Sequence, residues 1–224
     1  MPKPWNHCSW VFPRDPQFRE KAARILDSYE GRWQRKPLAP GDCVLCADEK
    51  TSIQARRRRH TSRPPGPAPP MWVEHEYHQR RRAWAYLAAW EVRKARLFGR
   101  CEPKTGIEPF SPLVSQVMSQ QPYRSAPRVF WVMDNGSSHR GQACIRRLQS
   151  RWTNLIVVHT PVHASWLNQI EIYFSVLTRK ALKPNDFDSL DELKTRILSF
   201  QRHDQQVAKP FNRLRRRAGR QGVN

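Results

Sequence analysis

Apolar residues fall into two patterns along this chain. Short continuous runs, at Cys43–Ala47, Val129–Met133 and Leu155–Val158, have the length and the β-branched or aromatic content of buried strands. Longer stretches repeat apolar residues at steps of three and four, the period of a helix packed on one face. The first such helix starts near Asp15 and Pro16 and sets Phe18, Ala22, Ile25, Leu26 and Tyr29 roughly on one side. KPLAPGD then breaks the chain before the strand from Cys43, which turns polar at Asp48; a return strand is expected from Ser52. Residues 56–71 are basic and proline-rich, cannot sit inside a sheet, and read as a surface loop. Arg81–Val92 and Ala95–Glu102 look like a strand hairpin, followed by a helix with Phe110, Leu113, Val114 and Val117 inward.

Past that point the pattern alternates. The strand at Val129–Met133 precedes a helix holding Ile145 and Leu148 inward, and the strand of NLIVVHT ends at His159 and Thr160. A proline turn opens a further helix with Leu167, Ile170, Phe174, Leu177 and Ala181 on one face, and SLDELKTRILSFQRH forms a last one. An antiparallel start followed by β-α-β-α implies an α/β fold, a mixed sheet with helices on both faces.

Charge narrows the class of partner. The 224 residues carry 40 Lys and Arg against 19 Asp and Glu, a net charge of +21. Arginines run together at Arg56–Arg59 and Arg80–Arg82, and crowd the C-terminus from Arg213. A field of this sign attracts polyanions, and nucleic acid is the commonest in a cell; a charge this lopsided favours nucleic-acid binding over a solvated basic surface or a ribosome-like tail. The low hydrophobic fraction of 38% and the 19 prolines imply that part of the length is irregular. Five cysteines, with no secretory signal and no long apolar stretch, read as reduced thiols of a cytosolic protein. Cys43 and Cys46 are spaced C-x-x-C, but no second pair follows, so they are expected to pack inside a strand rather than bind zinc.

Three carboxylates carry the candidate chemistry. Asp48 follows the first strand, Asp134 the fourth, and Glu171 lies one turn into the helix after the fifth. If the first and fourth strands are neighbours, the aspartates stand side by side at one sheet end, with Glu171 brought across by its helix. Carboxylates gathered so closely repel one another unless a cation sits among them, and Mg²⁺ or Mn²⁺ suits an all-oxygen set. Two such ions would stabilise the attacking and leaving oxygens of a displacement at phosphorus. Each residue also has a structural reading: Asp134 as a helix-capping turn, Asp48 paired with Lys50, Glu171 facing Arg179 or Lys180.

The blocks CADEKTSIQAR, VMDNGSSHRG and HTPVHASWLNQIEIYFSVLTRKAL resemble those of bacterial insertion-sequence transposases, the insertion sequence 630 family of the mariner-type superfamily. The third is the most specific, since LNQIE matches the family's L-N-x-[IV]-E signature. The resemblance implies a ribonuclease-H-like DDE catalytic domain over residues 37–200, preceded by an N-terminal remnant (1–36) and followed by a basic tail (201–224). It implies Asp48, Asp134 and Glu171 as catalytic ligands of two Mg²⁺ or Mn²⁺ ions. The implied reaction is cut-and-paste transposition: phosphodiester cleavage at terminal inverted repeats, then attack of the freed 3′-hydroxyl on target DNA, typically at a TA dinucleotide. Asn135, His139, His163, Trp166 and Asn168 also match and are candidate DNA contacts, with loop packing or capping an equal alternative; Arg56, Arg57, Arg58 and Arg59 would hold DNA.

DNA is thus the expected partner, a homodimer is left open, and no membrane is involved. The expected setting is the bacterial cytoplasm, associated with the nucleoid. Relatives carry an N-terminal helix-turn-helix region and further C-terminal structure, so the chain looks like a truncated, frame-shifted or split copy. The alternatives are another ribonuclease-H-like nuclease, or a degenerate remnant that binds DNA through its arginines without catalysis.

Overall fold

The computed structural model describes residues 14–60, 73, 75–135 and 141–211. His139 and the arginines from Arg213 onward lie outside these. The elements in chain order are α1 (Phe18–Tyr29), β1 (Arg32–Trp33), β2 (Lys36–Pro37), β3 (Cys43–Arg58), β4 (Tyr77–Glu91), β5 (Arg96–Glu102), α2 (Ile107–Met118), β6 (Val129–Met133), α3 (Gly141–Gln149), β7 (Leu155–His159), α4 (Ile170–Lys180) and α5 (Leu190–Val207). A five-stranded sheet runs β5-β4-β3-β6-β7. β4 is antiparallel to both β3 and β5, while β3, β6 and β7 run parallel. The mixed sheet read from the sequence is therefore present, and β1 and β2 add a small hairpin before it.

Alternation along the central strands divides the interior in two. Val44, Cys46, Phe130 and Val132 face a core shared with α1, α4 and α5, through Ile25, Tyr173, Leu177 and Ile197. Cys43, Leu45, Ala47, Val129, Trp131 and Met133 face the other core, with α2 and α3. Both faces being covered explains why these strands are continuous apolar runs. Cys43 and Cys46 are buried within β3, as expected of strand residues, and neither forms a disulfide.

Several boundaries differ from the sequence reading. No return strand begins at Ser52; β3 continues to Arg58, and Arg56–Arg58 pair with β4 instead of lying in a loop. A register shift between Lys50 and Ile53 absorbs the polar interruption, with Ser52 in the left-handed region at φ 56°. Such a bulge bends a strand and re-aims its side chains without ending it. The last helix likewise runs past His203 to Val207, capped at its start by the Ser189 hydroxyl, which accepts from the Glu192 amide.

The N-terminal helix is fastened to the segment after β7. Asp15, buried, accepts from the Gln17 amide at 2.9 Å, from Lys21 Nζ at 2.9 Å and from the Val162 amide at 3.1 Å. The Lys21 bond first, then the Val162 amide, holds its carboxyl below the usual range. Asp15→Ala strips charge-assisted bonds of a kind that contribute about 1.5–3 kcal/mol and is expected to destabilise the fold by that order. A carboxyl with a lowered folded-state pKa adds stability above its unfolded value and loses it as pH falls through the folded one. Urea titrations at neutral and acid pH should therefore show a gap between parent and variant that closes in acid.

Candidate active site

Register brings the two aspartates together. Cys46 pairs with Val132, and two residues further along each parallel strand stand Asp48 and Asp134. The far end of the same pair is locked: the Cys43 amide donates to the Arg128 carbonyl at 3.0 Å, and Arg128 NH2 donates to Asp42 Oδ2 at 2.6 Å. By parity, Asp48 continues the row of Val44 and Cys46, and Asp134 that of Phe130 and Val132, so both belong to the α4 side. Asp48 is buried, with Oδ1 accepting from the Glu49 amide at 2.8 Å; Asp134 is half-buried.

Glu171 sits in the first turn of α4, and Asn168 ties that turn to β3. Asn168 has no accessible surface; its Nδ2 donates to the Ala47 carbonyl at 2.9 Å, and its own carbonyl accepts from the Glu171 amide at 3.2 Å. One side chain thus joins the residue before Asp48 to the turn that carries Glu171. On the other flank Thr160 N donates to the Met133 carbonyl at 2.9 Å and Asn135 Nδ2 to the Thr160 carbonyl at 2.6 Å, fixing the end of β6 against β7.

Electrostatics mark the same place. The pKa of Glu171 is raised, chiefly by burial, with Lys50 opposing and the Asp134 charge adding to the rise. Asp134 and Glu171 are therefore electrostatic neighbours. Among the described residues no three His, Cys, Asp or Glu side chains close around a metal position. The donor chemistry nevertheless fits a hard cation: oxygen anions gathered on one side of a sheet end, one of them held against its ionisation by burial and a like charge.

That unrelieved charge yields a stability prediction. A carboxyl whose folded-state pKa is raised contributes stability below its unfolded pKa and loses it as pH climbs through the folded value. Glu171→Gln removes the ionisation, so in EDTA at neutral pH the variant should melt above the parent, with the difference fading in acid. Thermal melts across pH check this. A parent that outlasts the variant at neutral pH without metal contradicts it.

The DDE superfamily endonuclease family matches residues 43–194 of this chain. This chain belongs to that family. Three solved structures show the same fold. The Mos1 mariner paired end complex with Mn matches with a TM-score of 0.58 at 15% identity, over 91% of this chain and 60% of that one. The Mos1 transposase paired-end complex with left transposon end gives 0.52 at 16%, over 90% and 64%. The catalytic domain of Mos1 mariner transposase gives 0.51 at 14%, over 88% and 93%. At such identities the likeness is one of fold, and the fold is ribonuclease-H-like. The chain spans about 60% of the length of the first of these relatives. None of the curated proteins matches the sequence.

Within this member of the DDE superfamily endonuclease family the remaining candidates separate by position. His163 is exposed, in the left-handed region at φ 59°, and Trp166 is exposed beside Phe18 with ring centroids 6.3 Å apart. Asn168, by contrast, is enclosed with its Nδ2 on the Ala47 carbonyl, which fits the packing alternative rather than a DNA contact. Of the arginines, Arg57 pairs with Asp188 at 3.2 Å and Arg59 with Glu76 at 2.7 Å, whereas Arg56 and Arg58 lie over the Tyr77 ring at 4.5 and 5.5 Å. Three further residues were missed as site residues. Lys50 acts on Glu171, Asp15 holds Val162, and Tyr29 Oη donates to the Leu167 carbonyl at 3.0 Å. Lys50 was readable as a cation two residues after Asp48; nothing local marks Asp15 or Tyr29. Among the described residues no helix is long and apolar enough to cross a membrane.

Proposed function

We propose that this chain is the catalytic core of a DNA transposase of the insertion sequence 630 kind, which cleaves phosphodiesters at element ends and joins the freed 3′-hydroxyl to target DNA. Asp48, Asp134 and Glu171 would hold two Mg²⁺ or Mn²⁺ ions. Bound there, such ions supply Lewis acidity at phosphorus and lower the pKa of the attacking water or hydroxyl. The chain's own residues do the rest. Asp134 holds its place because β6 is paired on both flanks, by β3 and β7. Asn168 fixes the distance between the Asp48 strand and Glu171. Lys50 sets a positive charge beside Glu171, on the route of an incoming phosphate. The single observation that supports this reading is that the Asp134 charge acts on Glu171, beside a β3–β6 register that leads toward Asp48 and Asp134. The cytoplasm, where bacterial DNA lies, is the setting that follows.

Nicking of supercoiled DNA that carries the element ends, in Mg²⁺ against EDTA, tests the reading. Metal-dependent nicks bearing 3′-hydroxyls are expected. Binding without nicking under both conditions would leave a passive DNA-binding chain.

A further inference from the structure

Beyond the carboxylates the structure holds a groove, lined in part by Arg56 and Arg58, that the reading of those arginines as a loop did not foresee. It encloses about 640 Å³ between the outer half of β3 and the connection from α4 to α5, and its lining includes Lys50, Arg56, Arg58, Thr178 and Lys183. A smaller cleft at Glu171 and Arg179 shares Lys50 and Thr178 with it, so the two form one path. The walls are built rather than incidental. Asn185 Oδ1 accepts from the Arg56 amide at 3.0 Å while its Nδ2 donates to the Gln54 carbonyl at 2.9 Å. The Phe187 amide donates to the Arg56 carbonyl at 2.8 Å, and Asp186 Oδ1 accepts from the Arg58 amide at 3.0 Å. The α4–α5 connection is thereby laced along β3 beyond the bulge at Ser52.

Cations outnumber anions along this path, where Glu171 beside Lys50 is the acidic group of the described lining. Arg57, on the opposite face of the strand, is paired with Asp188, but among the described residues Lys50, Arg56, Arg58, Arg179 and Lys183 make no ion pair. The Nε atoms of Arg56 and Arg58 are buried without a hydrogen-bond partner, although Arg58 Nη1 donates to the His75 carbonyl at 3.2 Å. Desolvated guanidinium nitrogens that lack an acceptor are costly in a free protein and suit one that receives an anion.

We propose that this groove holds the sugar-phosphate backbone of a single DNA strand leading to or from the carboxylate site. Lys50 to Arg58 spans on the order of 25 Å of extended chain, room for several successive phosphates. A groove of about 640 Å³ between one strand and one connecting segment is of a scale that suits one sugar-phosphate backbone rather than a duplex. The inference rests on the transposase reading for the identity of the polymer, and on the geometry for its path.

The test measures binding apart from chemistry. Fluorescence anisotropy of a labelled single-stranded DNA with the full chain, in EDTA and over a series of salt concentrations, compares two double variants. Arg179→Ala with Lys183→Ala removes two exposed groove cations; Arg93→Ala with Arg124→Ala removes two exposed cations at the opposite end of the sheet. Each phosphate contact on a single strand contributes about 0.7 to the slope of log K against log salt. The groove variant should lose about 1.4 of that slope and the control variant none. Equal losses in both pairs, or no loss in the groove pair, would overturn the groove. Nicking that fails while the slope still falls refutes the catalytic reading and upholds the groove; nicking that persists while the slope is unchanged does the reverse.

Discussion

Asp134→Ala is expected to remove metal-dependent DNA nicking, by about 10³-fold or more, while the protein still folds and still binds DNA. The size follows from the chemistry: a ligated divalent ion contributes several kcal/mol at a phosphoryl transition state, and each 1.4 kcal/mol is about tenfold in rate. The position makes the loss local. Asp134 is half-buried at the end of a strand paired on both sides, so its removal opens no cavity in either core. It also takes a negative charge away from Glu171, whose pKa should fall toward the ordinary glutamate range. Titration calorimetry with Mn²⁺ should show weakened metal binding in the variant, and anisotropy should show DNA affinity kept or slightly improved. Nicking retained at the parental rate would remove Asp134 from the chemistry.

Asn168→Ala should produce the second largest defect by a different route. The substitution leaves the buried Ala47 carbonyl without its donor, at a cost of about 1–3 kcal/mol. For a domain of this size that is a melting shift of roughly 2–12 °C. It also frees the turn carrying Glu171 from the strand carrying Asp48, and a displacement of about 1 Å at a reacting centre is enough to lose about 10²-fold in rate. Because Asn168 has no accessible surface, kcat should fall with DNA affinity unchanged. A merely structural role would lower stability and leave kcat of the folded fraction intact; a role in DNA contact would raise Kd instead. Asn168→Asp, which keeps the shape and loses the donor, should behave like the alanine variant in rate.

Much of this architecture was legible from pattern. The runs at Cys43–Ala47, Val129–Met133 and Leu155–Val158 became β3, β6 and β7, the stretches of period three and four became helices, and the hairpin before α2 formed as read. Asp48 and Asp134 drew notice because each ends an apolar run abruptly, and Glu171 because it lies one turn into the helix that follows. The error at Ser52 shows where local reading stops. A polar, bulge-forming break looks the same whether a strand ends there or continues, and only the pairing of Ile53 and Gln54 with β4 decides. Asn168 was singled out for its place in a motif, but its burial against Ala47 depends on a residue 121 positions away.

The amino-acid order alone determined where the central strands and the main helices lie, and that the whole carries an excess of positive charge. These are properties of neighbours a few positions apart, set by backbone period and side-chain type. Tertiary packing decided that β3 and β6 lie edge to edge in the register that aligns Asp48 with Asp134. It also decided that α1 braces the loop before Glu171, and that the α4–α5 connection closes a basic groove. Many pairings of the same strands would satisfy the same hydrophobic pattern, and the choice among them is made by contacts between distant segments, which no short window of sequence contains.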